Sequence, residues 1–328
     1  MKEVLEHLTA HKTLDKAMAK QLLIDIANNQ YNEYQVASFL TVFMLRAIRI
    51  EELEGFRDAL LELCMAIDVS EFDPMDLCGT GGDGKNTFNI STLASFVVAG
   101  AGIKVAKHGN YGVSSNCGSS NVLEHLGIEF KSDSDSLRAD LDKKGICFLH
   151  APLFHPAMKN VAPIRKNLGV KTFFNMLGPM VNPAMPNKQL VGVFSLELAR
   201  MYSYLYQQTN KQYTIVHALD GYDEVSLTGK VKIQSRHQDD LLDAHDFGLN
   251  QHLPEAIFGA NTIAESANIF TRILEGKGTA EQQNVVCANA GLAIQTYYPE
   301  MLLTDAVALA KESLVGGKAL QVFKQAIA

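Results

Sequence analysis

From Met75 onward, short apolar runs alternate with helical patterns, and this alternation restricts the fold more than any other feature of the chain. The runs are Met75–Cys78, Ile103–Ala106, Ile146–His150, Gln189–Phe194 and Tyr213–Leu219. Helical patterns fall at Ser91–Ala99, Asn121–Leu126, Ser134–Lys144 and Glu197–Gln208, with Gly127 and Gly145 where C-terminal caps belong. A strand followed by a helix has crossed over to reach its next parallel neighbour. The pattern therefore predicts an α/β fold with a mostly parallel central sheet and helices on its faces. A hairpin is expected at Val225–Ile233, and long helices after Asn261 with a break at Gly316–Gly317.

The chain has 328 residues, enough for about two domains at ~150 residues each. Residues 1–72 read as a small helical domain and 73–328 as the larger α/β domain. Apolar residues at Leu53, Phe56, Leu60, Leu63 and Ile67 mark one helical face. Asn32 and Gln35 resemble a capping box that opens another helix. That helix, Ala37–Ile48, is apolar nearly all round, so burial against another domain or subunit is expected. Between Pro156 and Leu177 two further helical stretches lack a strand between them. They are expected to join the N-terminal helices, over about residues 156–180.

Lys and Arg total 29 against 36 Asp and Glu, a net charge of −7. Binding to nucleic acid or anionic membrane rests on basic residues, so neither partner is expected. The 5 cysteines include no C-x-x-C, which argues against a disulfide framework or structural zinc. The N-terminal segment lacks a signal-peptide core, and no run approaches the ~20 apolar residues of a membrane span. The reducing cytoplasm is the expected location.

The segment from Gly79 reads G-T-G-G-D-G-K-N-T-F-N-I-S-T. Gly79, Gly81 and Gly84 satisfy G-x-G-x-x-G as text. However, no helix opens at the last glycine, and no acid stands about 20 residues on to hold a ribose. A P-loop fails as well, for want of G-K-[ST]. Between Gly84 and Leu123 there are Lys85, Lys104 and Lys107 but no acid. Glycine amides, Ser, Thr and Asn donors, and a helix start near Asn89–Thr92 together describe a phosphate cradle.

A second segment, K-H-G-N-Y-G-V-S-S-N-C-G-S-S-N-V-L-E-H-L-G, runs from Lys107 to Gly127 after a predicted strand, where open α/β sheets bind ligands. Lys107 offers a point charge; Ser114, Ser115 and Ser119 offer donors. After Tyr213–Leu219 comes D-G-Y-D-E. Taken alone, Asp223 and Glu224 read as a solvated turn. Beside a phosphate cradle with few acids, they read as Mg²⁺ ligands.

These segments, with H-P-A-M-K-N-V-A-P-I-R-K-N-L-G-V-K-T-F-F-N-M-L-G-P-M-V-N-P from His155 and V-H-A-L-D-G-Y-D-E, resemble the anthranilate phosphoribosyltransferase family over nearly the whole chain. The resemblance implies a helical domain and an α/β domain with the active site at their hinge. It implies a homodimer joined through the helical domain. The implied substrates are phosphoribosyl pyrophosphate and anthranilate, with Mg²⁺. Gly79, Gly82, Asp83, Thr87, Asn89, Ile90, Ser91 and Thr92 fall on the phosphoribosyl pyrophosphate site. So do Lys107, His108, Gly109, Asn110, Tyr111, Gly112, Val113, Ser114 and Ser115, with Ser119 beyond. Ser91, Asp223 and Glu224 match metal ligands. Gly79, Asn110 and Arg165 match anthranilate contacts, with His108 and Gly178 nearby. Lys107 and His108 are the candidates for catalysis.

Three departures stand out. Tyr111 replaces a usual Arg and removes a cation near the phosphates. Ser120–Asn121 replaces Ala-Asp, and Lys171 replaces Arg. The pyrimidine nucleoside phosphorylases share this architecture but carry a K-H-S-T-G-G-type loop, against C-G-T-G-G-D and N-I-S-T here. A non-catalytic paralogue that binds nucleic acid would show a basic face and a degraded acidic pair; the net charge of −7 and the intact Asp223–Glu224 weigh against it.

Overall fold

The structure is a computed structural model and describes residues 1–112 and 117–328. Four helices come first: α1 (Lys2–Thr9), α2 (Lys16–Ala27), α3 (Glu33–Leu45) and α4 (Ile50–Glu62). Asp15 caps α2 through Met18 N, and Asn32 with Gln35 forms the capping box of α3. Glu52 on α4 is wholly buried and ties the loops of this layer together. Its carboxylate accepts from Leu14 N and Arg49 N, each at 2.9 Å, and from both terminal nitrogens of Arg46. Arg46 must leave the helix to reach it, with φ −141° and ψ 156°. This is why α3 ends at Leu45, short of the expected Ile48. Val36, Phe39, Leu40 and Phe43 are buried, whereas Leu45 is 83% exposed.

The remaining chain runs β1 (Met75–Gly79), α5 (Ile90–Gly100), β2 (Val105–Gly109), α6 (Ser119–His125), α7 (Ser134–Lys144), β3 (Ile146–His150), α8 (Ala151–Phe154) and α9 (Ala162–Leu168). It continues with β4 (Lys188–Gly192), α10 (Leu196–Gln207), β5 (Gln212–Ala218), β6 (Val231–Ser235), β7 (Asp239–Leu242), α11 (Ile263–Leu274), α12 (Ala280–Tyr297), α13 (Leu303–Val315) and α14 (Lys318–Ala326). One 7-stranded sheet has the order β3-β2-β1-β4-β5-β6-β7. Strands β1 to β5 are parallel; β6 and β7 are antiparallel. This is the mostly parallel sheet that the alternation predicts. The chain winds outward from β1 through β2 and β3, then returns to β4 on the other side of β1.

Strand β2 extends to Gly109, so Lys107 and His108 lie on the strand rather than beyond it, paired with Phe148 and Leu149 of β3. The segment after β3 belongs to the N-terminal helical layer. Phe173 stacks on Phe56 with ring centroids 4.3 Å apart and meets Phe39 and Phe43 edge-on. Aromatic pairs of this kind add ~0.5–1.5 kcal/mol beyond burial. Val161, Phe174, Leu177 and Met180 join the same apolar core, which continues onto α10 and the sheet through Tyr202, Val191 and Ile215.

The hairpin expected at Val225–Ile233 is not there. Residues 219–230 form a loop, closed by Leu219 N–H on Lys230 C=O at 2.8 Å, and the hairpin is β6–β7. Val225 cannot pair as a strand residue because the buried Asn289 of α12 holds its backbone at both ends, at 3.0 and 2.8 Å. The loop also presses on β4. A Cβ at Gly192 would stand 1.6 Å from Asp223 O, so only glycine fits under the loop. Gly192→Ala is expected to cost about 1–3 kcal/mol through overpacking. Urea denaturation measures it; a wild-type midpoint and slope would show that the loop yields freely.

Candidate functional site

Where strand winding reverses direction, open α/β sheets leave a crevice at their carboxyl ends. Here a cleft of about 580 Å³ opens above β1 and β2 and extends to the helical layer. Three parts of its wall differ in chemistry.

The first is a buried acidic corner. Asp223 Oδ2 accepts from Gly81 N at 2.8 Å, and Glu224 Oε1 accepts from Ser91 N, near the start of α5, at 3.0 Å. Burial and the neighbouring Asp83 push Asp223 up to about 7; the Gly81 amide opposes this. Burial and the Asp223 charge hold Glu224 well above the usual carboxylate range, and burial raises Asp83. Gly79 lacks a side chain where a Cβ would come within 2.7 Å of Asp223 Oδ2. The corner offers the hard oxygen donors that Mg²⁺ takes. Among the described residues no three His, Cys, Asp or Glu side chains converge on a cage. A cation here would complete its shell with water or a ligand's phosphate oxygens.

The second part is a floor of amides and hydroxyls from Gly79 to Thr92, followed by the end of β2. Thr80 Oγ1, Thr92 Oγ1 and His108 Nε2 are buried and have no hydrogen-bond partner among the described residues, and all three residues line the cleft. Lys107 is buried, and its ammonium donates to Leu77 O, its one hydrogen-bond partner among the described residues. His108 Nδ1 donates to Gly178 O at 3.0 Å. Burial, with His155 adding, pushes its pKa down to about 3, so the ring is neutral.

The third part is Arg165 on α9. Its Nη2 reaches Asn175 Oδ1 at 3.4 Å, and its guanidinium lies 5.1 Å from the centre of the Phe174 ring. Burial lowers its pKa. Among the described residues no carboxylate pairs with it.

Gly79, Gly82, Asp83, Thr87, Asn89, Ser91, Thr92, Lys107, His108, Gly109, Asn110, Tyr111, Gly112, Ser119, Arg165, Gly178, Asp223 and Glu224 all line this cleft. Ile90 does not: its side chain is packed in the apolar core on the α5 face, because the helix turns it away from Ser91. Val113, Ser114 and Ser115 lie outside the described residues. Tyr111 puts its hydroxyl on Glu124 at 2.9 Å. Lys171 donates to Gly82 O.

The wall also contains Phe174, Asn175, Cys117 and Asn261, which the motif reading does not single out. Asn175 had a signal: T-F-F-N is a capping box, in which Asn175 accepts from Thr172 N while also meeting Arg165. Asn261 and Phe174 carry no such local mark.

Comparison with known proteins gives this geometry a family. Residues 71–320 match the model of the glycosyl transferase family a/b domain, and residues 2–64 match its helical bundle domain. The anthranilate phosphoribosyltransferase of Christiangramia forsetii is 61% identical over 99% of this chain and 98% of its own. That of Flavobacterium psychrophilum is 62% identical over the same shares. Among solved structures, anthranilate phosphoribosyltransferase from Thermus thermophilus superposes with TM-score 0.90 at 31% identity, covering 98% of each chain. The Saccharomyces cerevisiae enzyme in complex with PRPP and Mg superposes with TM-score 0.91 at 29% identity, over 98% of this chain and 95% of that one. With this agreement over its whole length, in sequence and in fold, the chain belongs to the anthranilate phosphoribosyltransferase family.

Proposed function

We propose that the chain transfers the phosphoribosyl group of phosphoribosyl pyrophosphate to the amine of anthranilate, releasing pyrophosphate, in tryptophan biosynthesis. The observation that carries this is the pairing of two unlike subsites in one cleft. An amide-rich floor with an acidic corner faces a guanidinium that no carboxylate among the described residues pairs with. The first suits a diphosphate bound with Mg²⁺, the second an aromatic acid.

In this reading Ser91, Asp223 and Glu224 hold Mg²⁺, which when bound neutralises charge on the leaving diphosphate. The floor from Gly79 to Thr92 and the segment from Lys107 to Ser119 hold the phosphoribosyl pyrophosphate. An arylamine is neutral near pH 7, so the reaction asks little of a base. Departure of pyrophosphate from the ribose C1 is the harder event. Lys107 supplies positive charge near the leaving oxygens, and Arg165 fixes the carboxylate so that the amine lies in line with C1. A histidine with its pKa down to about 3 is a poor base. His108 therefore serves by holding the turn at Gly178, next to the aromatic acid.

No helix among the described residues is long and apolar enough to cross a membrane. The five free cysteines suit the reducing cytoplasm, where we place the enzyme. We also propose a homodimer joined through the helical domain, supported by Tyr34 and Leu45 of α3, which are 76% and 83% exposed. Sedimentation should give a dimer for the wild type and a monomer for Leu45→Asp. A monomeric wild type at micromolar concentration would remove the dimer.

The purified protein should consume anthranilate only with phosphoribosyl pyrophosphate and Mg²⁺ present. Phosphorolysis of thymidine or uridine without that turnover would overturn the reading. Losing one partner of a buried charge pair costs ~2–5 kcal/mol, on the order of 30- to several-thousand-fold. Arg165→Ala should raise the anthranilate KM by that order and leave the phosphoribosyl pyrophosphate KM nearly unchanged. A loss confined to the diphosphate substrate would mean that the two subsites are reversed.

A further inference from the structure

Strands β1 and β2 are neighbours, yet their ladder carries one registered pair, Met75 with Val105. The flanking ladders β1–β4 and β2–β3 each run for five pairs. The β1–β2 pairing starts with Met75 N–H on Lys104 C=O at 2.9 Å. Continuing that parallel register would place Leu77 N–H on Ala106 C=O and His108 N–H on Leu77 C=O. The register stops instead, and side chains take the places of the missing rungs. His108 N–H donates to Asp76 Oδ1 at 3.2 Å. Ala106 C=O accepts from Asn182 Nδ2 at 3.0 Å. Leu77 C=O accepts from the Lys107 ammonium.

All three side chains are buried, where an unmet backbone group is costly. Asp76 is braced in its turn. Its Oδ2 accepts from Gln189 Nε2 at 3.1 Å, and Gln189 Oε1 accepts from Tyr206 hydroxyl at 2.7 Å. The strand ends beyond the break, Cys78–Gly79 and Lys107–Gly109, line the cleft on both sides. A continuous ladder would hold them ~4.8 Å apart along the hydrogen-bonding direction.

We propose that Asp76 and Asn182 are positioning residues that wedge β1 from β2 at the floor of the cleft and so set where Lys107 stands against the diphosphate. The proposal rests on the phosphoribosyl-transfer reading for its substrate. The alternative is that the wedge merely satisfies a flaw in the sheet and matters to stability alone.

Asp76→Asn keeps the shape and one acceptor oxygen while removing the other, so that one of the two donors loses its partner. At matched folded fraction, it should raise the phosphoribosyl pyrophosphate KM roughly 10- to 100-fold, as small misplacements in an active site do. The anthranilate KM should rise at least several-fold less, and the His108 amide should exchange faster with deuterium. Asn182→Leu, which leaves the carboxylate in place, should move the same KM in the same direction and serves if Asp76→Asn does not fold. Unchanged kinetics in both variants would overturn the proposal. So would a loss equal for both substrates and explained by the unfolded fraction. A wild-type protein that consumes no anthranilate would instead contradict the transfer reading, and amide exchange at His108 would still report on the wedge.

Discussion

Asp223, buried, and Glu224, half-buried, are carboxylates on a loop that the fold grips from three directions, and most of the site follows from that placement. Burial disfavours their charged forms; Asp83 adds to the cost at Asp223, and Asp223 to the cost at Glu224. Left free, such a loop would swing its acids into solvent. Here Gly192 lets it lie against β4, Asn289 clasps Val225 from behind, and Ser91 N–H meets Glu224 from the front. A negative corner beside an acid-free stretch of amides and hydroxyls repels a phosphate on its own. It accepts one well when a cation stands between them. Glycine at 79 and 192 is therefore a consequence of carboxylate placement as much as of ligand approach.

The opposite wall has a different origin. Arg165 rides on a segment whose Phe173 is inserted among Phe39, Phe43 and Phe56, so the helical layer carries it rather than the sheet. One neutral histidine joins the layers and a second braces the helical one. His108 donates to Gly178 O and His155 Nε2 to Val181 O, each at 3.0 Å. Burial keeps both uncharged, down to about 3 and about 4. The separation of the amide floor on the sheet from Arg165 on the helical layer is thus set by aromatic packing and the His108–Gly178 hydrogen bond.

What could be read from the chain was what is local. The Asn32 and Gln35 cap, the strand–helix alternation and the acid-free stretch from Gly84 to Leu123 can each be read along the chain without knowledge of distant contacts. The misplaced hairpin shows the limit. Ser226–Lys230 has turn residues, but whether Val225 pairs as a strand is decided by Asn289, 64 positions away. The wedge shows it again. Asp76 reads as one polar residue in a short apolar run, and nothing nearby tells that its carboxylate stands in for a rung of the ladder. Ile90 shares a segment with residues of the cleft, and helical geometry turns it the other way.

The central claim is that the cleft holds two subsites, of which only one depends on a cation. Calorimetric titration of the same protein with each substrate, with Mg²⁺ and then with excess EDTA, tests it directly. Phosphoribosyl pyrophosphate binding should weaken at least about tenfold without Mg²⁺, a change of ~1.4 kcal/mol. Anthranilate binding should be unaffected, and anthranilate should still bind when phosphoribosyl pyrophosphate is already present. Equal phosphoribosyl pyrophosphate affinity in EDTA, or displacement of one substrate by the other, would contradict the account.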